Sequence, residues 1–370
     1  MPEQLTPDPE GRGIERRIVV DHERVEEVLG TLVRAYDRED YPYCLDSTRV
    51  PQDHRHMPKN LALGTKEHAM FLWTSCYYMR GGAKSVPVMQ QLARVYEEAP
   101  DLFDPEIARA VPPVVIADLL EKHGLGFQRM VSELWVENAS RLYTLYEGDP
   151  RKVFENVHTY EGASKRVKND KRGGGFVGFQ EKMTSMILYY LMDEHLIDEF
   201  DFPLPVDLHV LRISIANEMV RFEGYGEDEN VLSDELLAVL RKIYYDYTKA
   251  HGISTLRLCN AVWLYSQALC GLQPGNITIE PEGRENRRGR DTVLEPLPID
   301  MNSERQRRAY ERSCGSCAIQ ATCRWNVPSS QYYIQGGLAR RGKRREFPPP
   351  GGQESLISFG EAHELARSST

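Results

Sequence analysis

The chain has no apolar run near the roughly 18–20 residues that a membrane helix needs, so no helical membrane span is expected. Its opening, MPEQLTPDPEGRG, has no basic start, no apolar stretch and no small-residue cleavage site. A secretory signal is therefore not expected, and the expected location is the cytoplasm. No alternating apolar–polar pattern of strand length stands out, and no internal repeat. The seven cysteines are odd in number for a chain of 370 residues, which does not suggest a disulfide framework. Positive charge is also short: 46 Lys and Arg face 55 Asp and Glu, for a net charge of −9. Alone, that balance argues against nucleic acid, because phosphate contacts favour a basic surface.

The distribution of charge softens that exclusion. Lys165, Arg166, Lys168, Lys171 and Arg172 crowd one stretch; Arg284, Arg287, Arg288 and Arg290 form a second; Arg340, Arg341, Lys343, Arg344 and Arg345 form a third. Such runs are either solvated loops or one positive face on an acidic protein, and the second is compatible with DNA binding.

At 41% hydrophobic residues the chain can bury one large core or two intimate ones. Apolar residues recur at helical spacing over 20–38, 64–79, 86–98, 114–122, 128–147, 151–156, 182–194, 234–250 and 254–269, with a further helix starting near Asp207. The fold class expected is all-α. Residues 41–59 are broken by prolines, and 271–299 are polar, Arg-rich and irregular by pattern.

Three features carry chemistry. Gly178-Phe179-Gln180-Glu181-Lys182 is a Gly-containing turn feeding a helix, where backbone N–H groups and the helix dipole can hold a phosphate. Lys182 is either a solvated lysine or an amine nucleophile, which needs a depressed pKa. Pro205-Val206-Asp207-Leu208-His209 puts a carboxylate at a Pro-braced helix start. Asp207 is either a plain cap or a general base that stabilises a developing cation. Cys314-x2-Cys317-x5-Cys323 places three thiolates in one small volume. Cys270, at the end of the helix before Gly271, is preferred over mid-helix Cys259 as a fourth. Four thiolates suit a cubane iron–sulfur cluster, with zinc as the alternative.

The order hairpin, lysine, V-D-x-H, C-x2-C-x5-C resembles the helix-hairpin-helix DNA glycosylase superfamily, especially its endonuclease III-like branch. That branch shows L-P-G-V-G-x-K, V-D-x-H and C-x6-C-x2-C-x5-C. Gly178 matches the first hairpin glycine, Lys182 the catalytic lysine, Asp207 the catalytic aspartate, and Cys314, Cys317 and Cys323 the last three cluster ligands. The segment Gly124-Leu125-Gly126-Phe127 also resembles the family's stretch ahead of the hairpin, so the likeness spans residues 64–323. There are departures. Val177 and Gln180 replace the hairpin's proline and second glycine, the interval from Lys182 to Asp207 is long, and Cys270 lies far upstream of Cys314. With a Cβ, Gln180 resists left-handed backbone angles, so an altered phosphate cradle is expected. In this hairpin the chain also resembles the archaeal 8-oxoguanine glycosylases.

The resemblance implies a two-lobed helical fold and a C-terminal 4Fe-4S cluster on Cys270, Cys314, Cys317 and Cys323. The lobes expected are a lead-in over 1–20, a segment over 21–63 packed on the C-terminal lobe, a barrel lobe over 64–200, a C-terminal lobe over 201–335 with an inserted loop over 271–312, and a basic tail over 336–370. It implies an enzyme, acting as a monomer on double-stranded DNA away from membranes, that flips out a base and cuts its N-glycosidic bond. Catalysis falls to Asp207 and Lys182, and DNA contacts to Gly178, Gln180, Arg172 and Tyr78, with Tyr77, Tyr78 or Met79 as the wedge. Attack by Lys182 on C1′ would add Schiff-base lyase chemistry. Base excision repair is the expected role. Excision of a bulky modified phage base in antiviral defence, a non-catalytic nucleic-acid-binding module and a nucleoside hydrolase are the other readings.

Overall fold

The computed structural model describes residues 16–80, 84–168, 175–225, 231–270, 276–279, 293–296 and 302–323. Its elements, in order, are β1 (Arg17–Val20), α1 (His22–Asp37), α2 (Lys66–Ser75), α3 (Ser85–Glu98), α4 (Pro105–Ala108), α5 (Pro113–Lys122), α6 (Gln128–Tyr146), α7 (Tyr160–Val167), α8 (Glu181–Asp193), α9 (Leu208–Ala216), β2 (Val220–Glu223), α10 (Asp234–His251), α11 (Thr255–Tyr265), β3 (Asn276–Ile279), β4 (Val293–Pro296) and α12 (Glu304–Glu311). The protein is mostly helical. Among the described residues no helix is long and apolar enough to cross a membrane.

Two helices are buried nearly all round, as a helix does when it runs through a core rather than along its surface. In α2 every residue from His68 to Ser75 is buried, and in α8 every residue from Met183 to Met192. The two pack against each other. Thr65 starts α2 by accepting from the His68 amide at 3.3 Å. The other helices are amphipathic and wrap this pair. In α1, Asp21 caps the start and Val25, Val28, Leu29 and Leu32 form the inward stripe. That stripe lies on α11, and Arg257 Nε closes the contact by donating to Asp37 Oδ1 at 2.7 Å. Tyr43 adds a hydrogen bond from its hydroxyl to the Ala261 carbonyl at 2.7 Å.

The structure departs from the sequence pattern in several places, among them α4 and α12, which no helical spacing marked. Residues 17–20, placed in the lead-in, form β1 and pair antiparallel with β2, Arg17 opposite Glu223 and Val20 opposite Val220. Four-residue strands are too short to show a period of two. The inserted loop, expected to be irregular, contains β3 and β4 as an antiparallel pair. Finally, α7 was missed because it is only eight residues long and its last turn opens the first basic run with Lys165 and Arg166. Its start is fixed by Thr159, whose hydroxyl accepts from the Gly162 amide at 3.2 Å.

Candidate active site

The turn between α7 and α8 is held from below by aromatics. Phe176 and Phe179 are both buried against Trp73 of α2, with ring centroids 4.6 and 4.9 Å away. Between them Val177 is gripped twice by Asn138 of α6: its amide donates to Asn138 Oδ1 at 2.8 Å, and Asn138 Nδ2 donates to its carbonyl at 3.0 Å. Gly178 adopts φ +82°, a left-handed angle that favours glycine. A Cβ there would lie 3.1 Å from Arg80 Nη2, which donates to the Gly178 carbonyl at 3.3 Å. Gln180 sits at φ −119° and ψ −168°. That is ordinary extended backbone, so the residue replacing the second glycine sits there without strain.

Lys182 follows in the first turn of α8. It is half-buried, and its amine donates to the Met79 carbonyl at 2.8 Å. Its pKa is lowered from the ordinary lysine value, chiefly by burial; the Asp207 carboxylate opposes this, and the Arg80 guanidinium reinforces it. The amine is thus a stronger nucleophile near neutral pH than a solvated lysine.

Asp207 is the N-cap of α9. Its Oδ1 accepts from the amides of His209 at 2.8 Å and Val210 at 3.1 Å. Capping fixes the carboxylate rotamer and leaves Oδ2 for other work. Beyond it, His209 Nδ1 lies 3.0 Å from Ser266 Oγ, and its ring meets Trp263 edge-on at 5.3 Å. Burial is the main reason His209 is pushed down to about 4, so it stands neutral beside Asp207 at pH 7.

These helices converge on a narrow, partly open cleft. Met186, Tyr189 and Tyr190 come from α8, Asp207 and Val210 from α9, and Cys259 and Trp263 from α11. Lys182, Met186 and Tyr190 are spaced i, i+4 and i+8, one stripe of α8. The stripe runs from the amine down the cavity wall. That periodicity was visible in the sequence. The contributions of Met79, Arg80, His209 and Trp263 were not, because each depends on a long-range approach.

The cysteines divide into two places. Cys259 is buried in the cavity wall, its thiol raised by burial and then by the Asp193 and Asp207 carboxylates, which removes it as a partner of the C-terminal trio. Cys270 ends a π-type turn, Ser266–Cys270, that continues α11. Cys317 is pushed up to about 12, mainly by burial and next by the Cys270 thiol, with Cys314 also contributing. The Tyr265 hydroxyl lies 3.5 Å from Cys317 Sγ. Among the described residues no three His, Cys, Asp or Glu side chains converge closely enough to hold a single metal ion.

Other expected contacts fall elsewhere. Tyr77, Tyr78 and Met79 are 1%, 1% and 4% exposed, so none stands ready as a wedge, and Tyr78 does not reach a DNA surface. They lie inside because α2 runs through the core. Phe127, at 44%, and Met130, at 38%, are exposed at the start of α6. Met130 shares a face with Leu134, which touches Gly178, and with Asn138, which grips Val177. Arg172 and the second and third basic runs lie outside the described residues. In the first run, Lys165 pairs with Glu161 at 2.9 Å, Lys168 pairs with Glu181, and Arg166 donates to the Val153 and Glu155 carbonyls.

No protein-family model matches the sequence, and no curated protein does. Among solved structures, the chain is similar to the 8-oxoguanine glycosylase/lyase of Methanocaldococcus jannaschii in complex with a 15mer DNA containing 8-oxoguanine. The TM-score is 0.41 at 16% identity, covering 64% of this chain and 94% of that one. It is also similar to the 8-oxoguanine DNA glycosylase of Thermotoga maritima, with a TM-score of 0.39 at 18% identity, covering 65% of this chain and 95% of that one.

Proposed function

We propose that the chain is a DNA glycosylase that extrudes a damaged or modified base from double-stranded DNA and cleaves its N-glycosidic bond, in base excision repair. The observation that carries this reading is the meeting of Lys182 and Asp207. The helix-capping Asp207 carboxylate, which lines a largely apolar cleft, is the strongest charge acting on the Lys182 amine, whose pKa burial lowers. Extruding a base costs a few kcal/mol and is easiest at weakened pairs. The hairpin around Gly178, at the start of α8, is the phosphate anchor, since a helix N-terminus favours anions.

In the chemical step Asp207 stabilises the positive sugar as the base departs, and takes the proton from the attacking amine or water. If Lys182 attacks C1′, the C1′–N bond to the base breaks and the proton that Asp207 takes from the amine passes to the departing base; the C1′–O4′ bond then opens, O4′ takes a proton from solvent, and the amine stays bound to C1′ as a Schiff base. Phe127 and Met130 are the side chains suited to fill the gap, being apolar, exposed and on the hairpin side of α6. The apolar wall favours a flat heterocycle over a base carrying a sugar, so repair is preferred to excision of a glucosylated phage base.

The same reading includes a 4Fe-4S cluster. The donor set fits: Cys317 is half-buried with Cys270 and Cys314 near it, and Cys323 follows on the turns that begin at Cys317. The corners of a four-iron cube lie further apart than the ligands of one ion, consistent with the lack of a single-ion site. Cys270, Cys314, Cys317 and Cys323 would hold it; when bound it supplies a fold-stabilising, redox-capable centre away from the reacting sugar.

The test is abasic-site formation on duplexes carrying plain, oxidised, deaminated, mismatched or glucosylated bases, with wild type and Asp207→Asn. Sites on one class, lost in the variant, support the reading. No sites on any duplex overturn it and leave a binding module or a nucleoside hydrolase.

A further inference from the structure

Two consecutive tyrosines of α8 line the cavity, and their hydroxyls have opposite fates. Tyr189 donates to Asn260 Oδ1. Asn260 Nδ2 donates to Asp193 Oδ1 at 3.3 Å, and Gln52 Nε2 donates to Asp193 Oδ2 at 2.7 Å. Tyr189 is therefore bound into a network behind the wall. Tyr190 is 1% exposed, and its hydroxyl is buried without any hydrogen-bond partner. A phenylalanine would fill the same space without that desolvation penalty.

The rest of the wall gives the orphan hydroxyl its meaning. Met186, Leu204, Val210 and Trp263 supply apolar surface suited to the faces of a flat ring. Asp207, on which the sugar chemistry of the proposed function falls, lines the same cleft. Tyr190 is on the Lys182 stripe, two helical turns further along α8, and lines the cleft together with Asp207. Tyr190 is raised well above the ordinary tyrosine value, first by burial, so its phenol is a neutral donor at physiological pH.

We propose that Tyr190 is the specificity-determining residue of this cavity, its hydroxyl donating to an acceptor on the edge of the extruded base, a ring nitrogen or an exocyclic oxygen. The inference rests on the glycosylase reading and deepens it. A base that presents a donor or a methyl at this position leaves the phenol unpaired and is rejected, since a polar site discriminates by the cost of unmet hydrogen bonds.

The experiment compares wild type, Tyr190→Phe and Tyr189→Phe in three measurements. These are single-turnover base release from the preferred duplex, borohydride trapping on a duplex with a preformed abasic site, and thermal melting. An abasic site has no base to read, so trapping depends on Lys182 and Asp207 alone. Tyr190→Phe should release the base about 10- to 100-fold more slowly, trap at the wild-type rate, and melt at the same or a higher temperature. Tyr189→Phe should lower the melting temperature, because it strands Asn260. Wild-type base release by Tyr190→Phe overturns the proposal and leaves the glycosylase reading standing, as does an equal loss in release and trapping. A wild type that neither releases a base nor traps overturns both.

Discussion

The Lys182 amine donates to the Met79 carbonyl at 2.8 Å, and the next residue, Arg80, donates to the Gly178 carbonyl at 3.3 Å. One dipeptide thus holds both the nucleophile and the turn that presents it. Arg80 also pushes the Lys182 pKa down, against the pull of Asp207. Removing Arg80's charge should raise the Lys182 pKa and reduce the neutral amine at pH 7. In Arg80→Met, the pH midpoint of borohydride trapping should therefore move to alkaline pH. Lys182→Gln should abolish trapping at every pH. An unmoved midpoint in Arg80→Met would detach Arg80 from the chemistry.

Asp207 has two duties that substitution can separate. Its Oδ1 caps α9, and asparagine caps as well as aspartate. Asp207→Asn should keep the wild-type melting temperature and DNA affinity while losing at least about 100-fold in base release, because the charge facing the sugar is gone. Asp207→Ala should lose activity and also about 1 kcal/mol of stability from the missing cap. Equal activity in Asp207→Asn would reduce the residue to a helix cap.

Much of this site was legible in the sequence. Asp207 after Pro205 marked a capped helix start, and Lys182 marked the first turn of the helix fed by the Gly178 turn. The hairpin was legible through Gly178, and the deep placement of Phe176 and Phe179 followed the rule that large aromatics seek the core. What the sequence did not reveal came from contacts between distant segments. The burial of Tyr78 depends on α2 threading the core, and the placement of Cys259 beside Asp207 depends on α11 lying against α9. Gln180 misled for a local reason: substitution of a glycine suggested strain, yet the backbone there is extended.

Gly178 should tolerate no side chain without cost. At φ +82° an alanine pays about 1–2 kcal/mol for its Cβ. The contact with Arg80 Nη2 adds little, since the end of that side chain can move. Gly178→Ala should lower stability by that amount and weaken duplex binding, read by salt-dependent titration. Stability at the wild-type level would show that the turn is not held left-handed.

The two groups of cysteine should respond differently. Cys317→Ser should cost the protein its iron, its bound sulfide and its broad visible absorbance. Cys259→Ser, in the cavity wall, should keep all three. Purified wild-type protein without iron would remove the cluster while leaving the Lys182–Asp207 site untouched.

Glu194, at the end of α8, offers a test of the core that is independent of activity. Its carboxyl is raised to about 7, mainly by burial and then by the Asp193 and Asp53 carboxylates. Nearby His68 is pushed down to about 4 by burial, and its Nε2 stands 3.8 Å from Glu194 Oε2. The Gly64 amide donates to His68 Nδ1 at 3.2 Å, which leaves the proton of the neutral ring on Nε2, facing the carboxyl. A carboxyl raised on folding binds its proton more tightly in the folded state. The stability this confers is complete below the unfolded value and is lost as pH rises through about 7. His68 works in the opposite direction, gaining stability as pH rises from about 4 towards its unfolded value. The clean window is therefore near and above pH 6.5, where His68 is already neutral in the folded state. Between about pH 6.5 and 8 wild type should lose stability relative to Glu194→Gln. The difference should be on the order of 1 kcal/mol in denaturant titrations, because glutamine stays neutral throughout. A pH-independent difference between the two proteins would mean that Glu194 is ionised in the folded state, paired with a protonated His68.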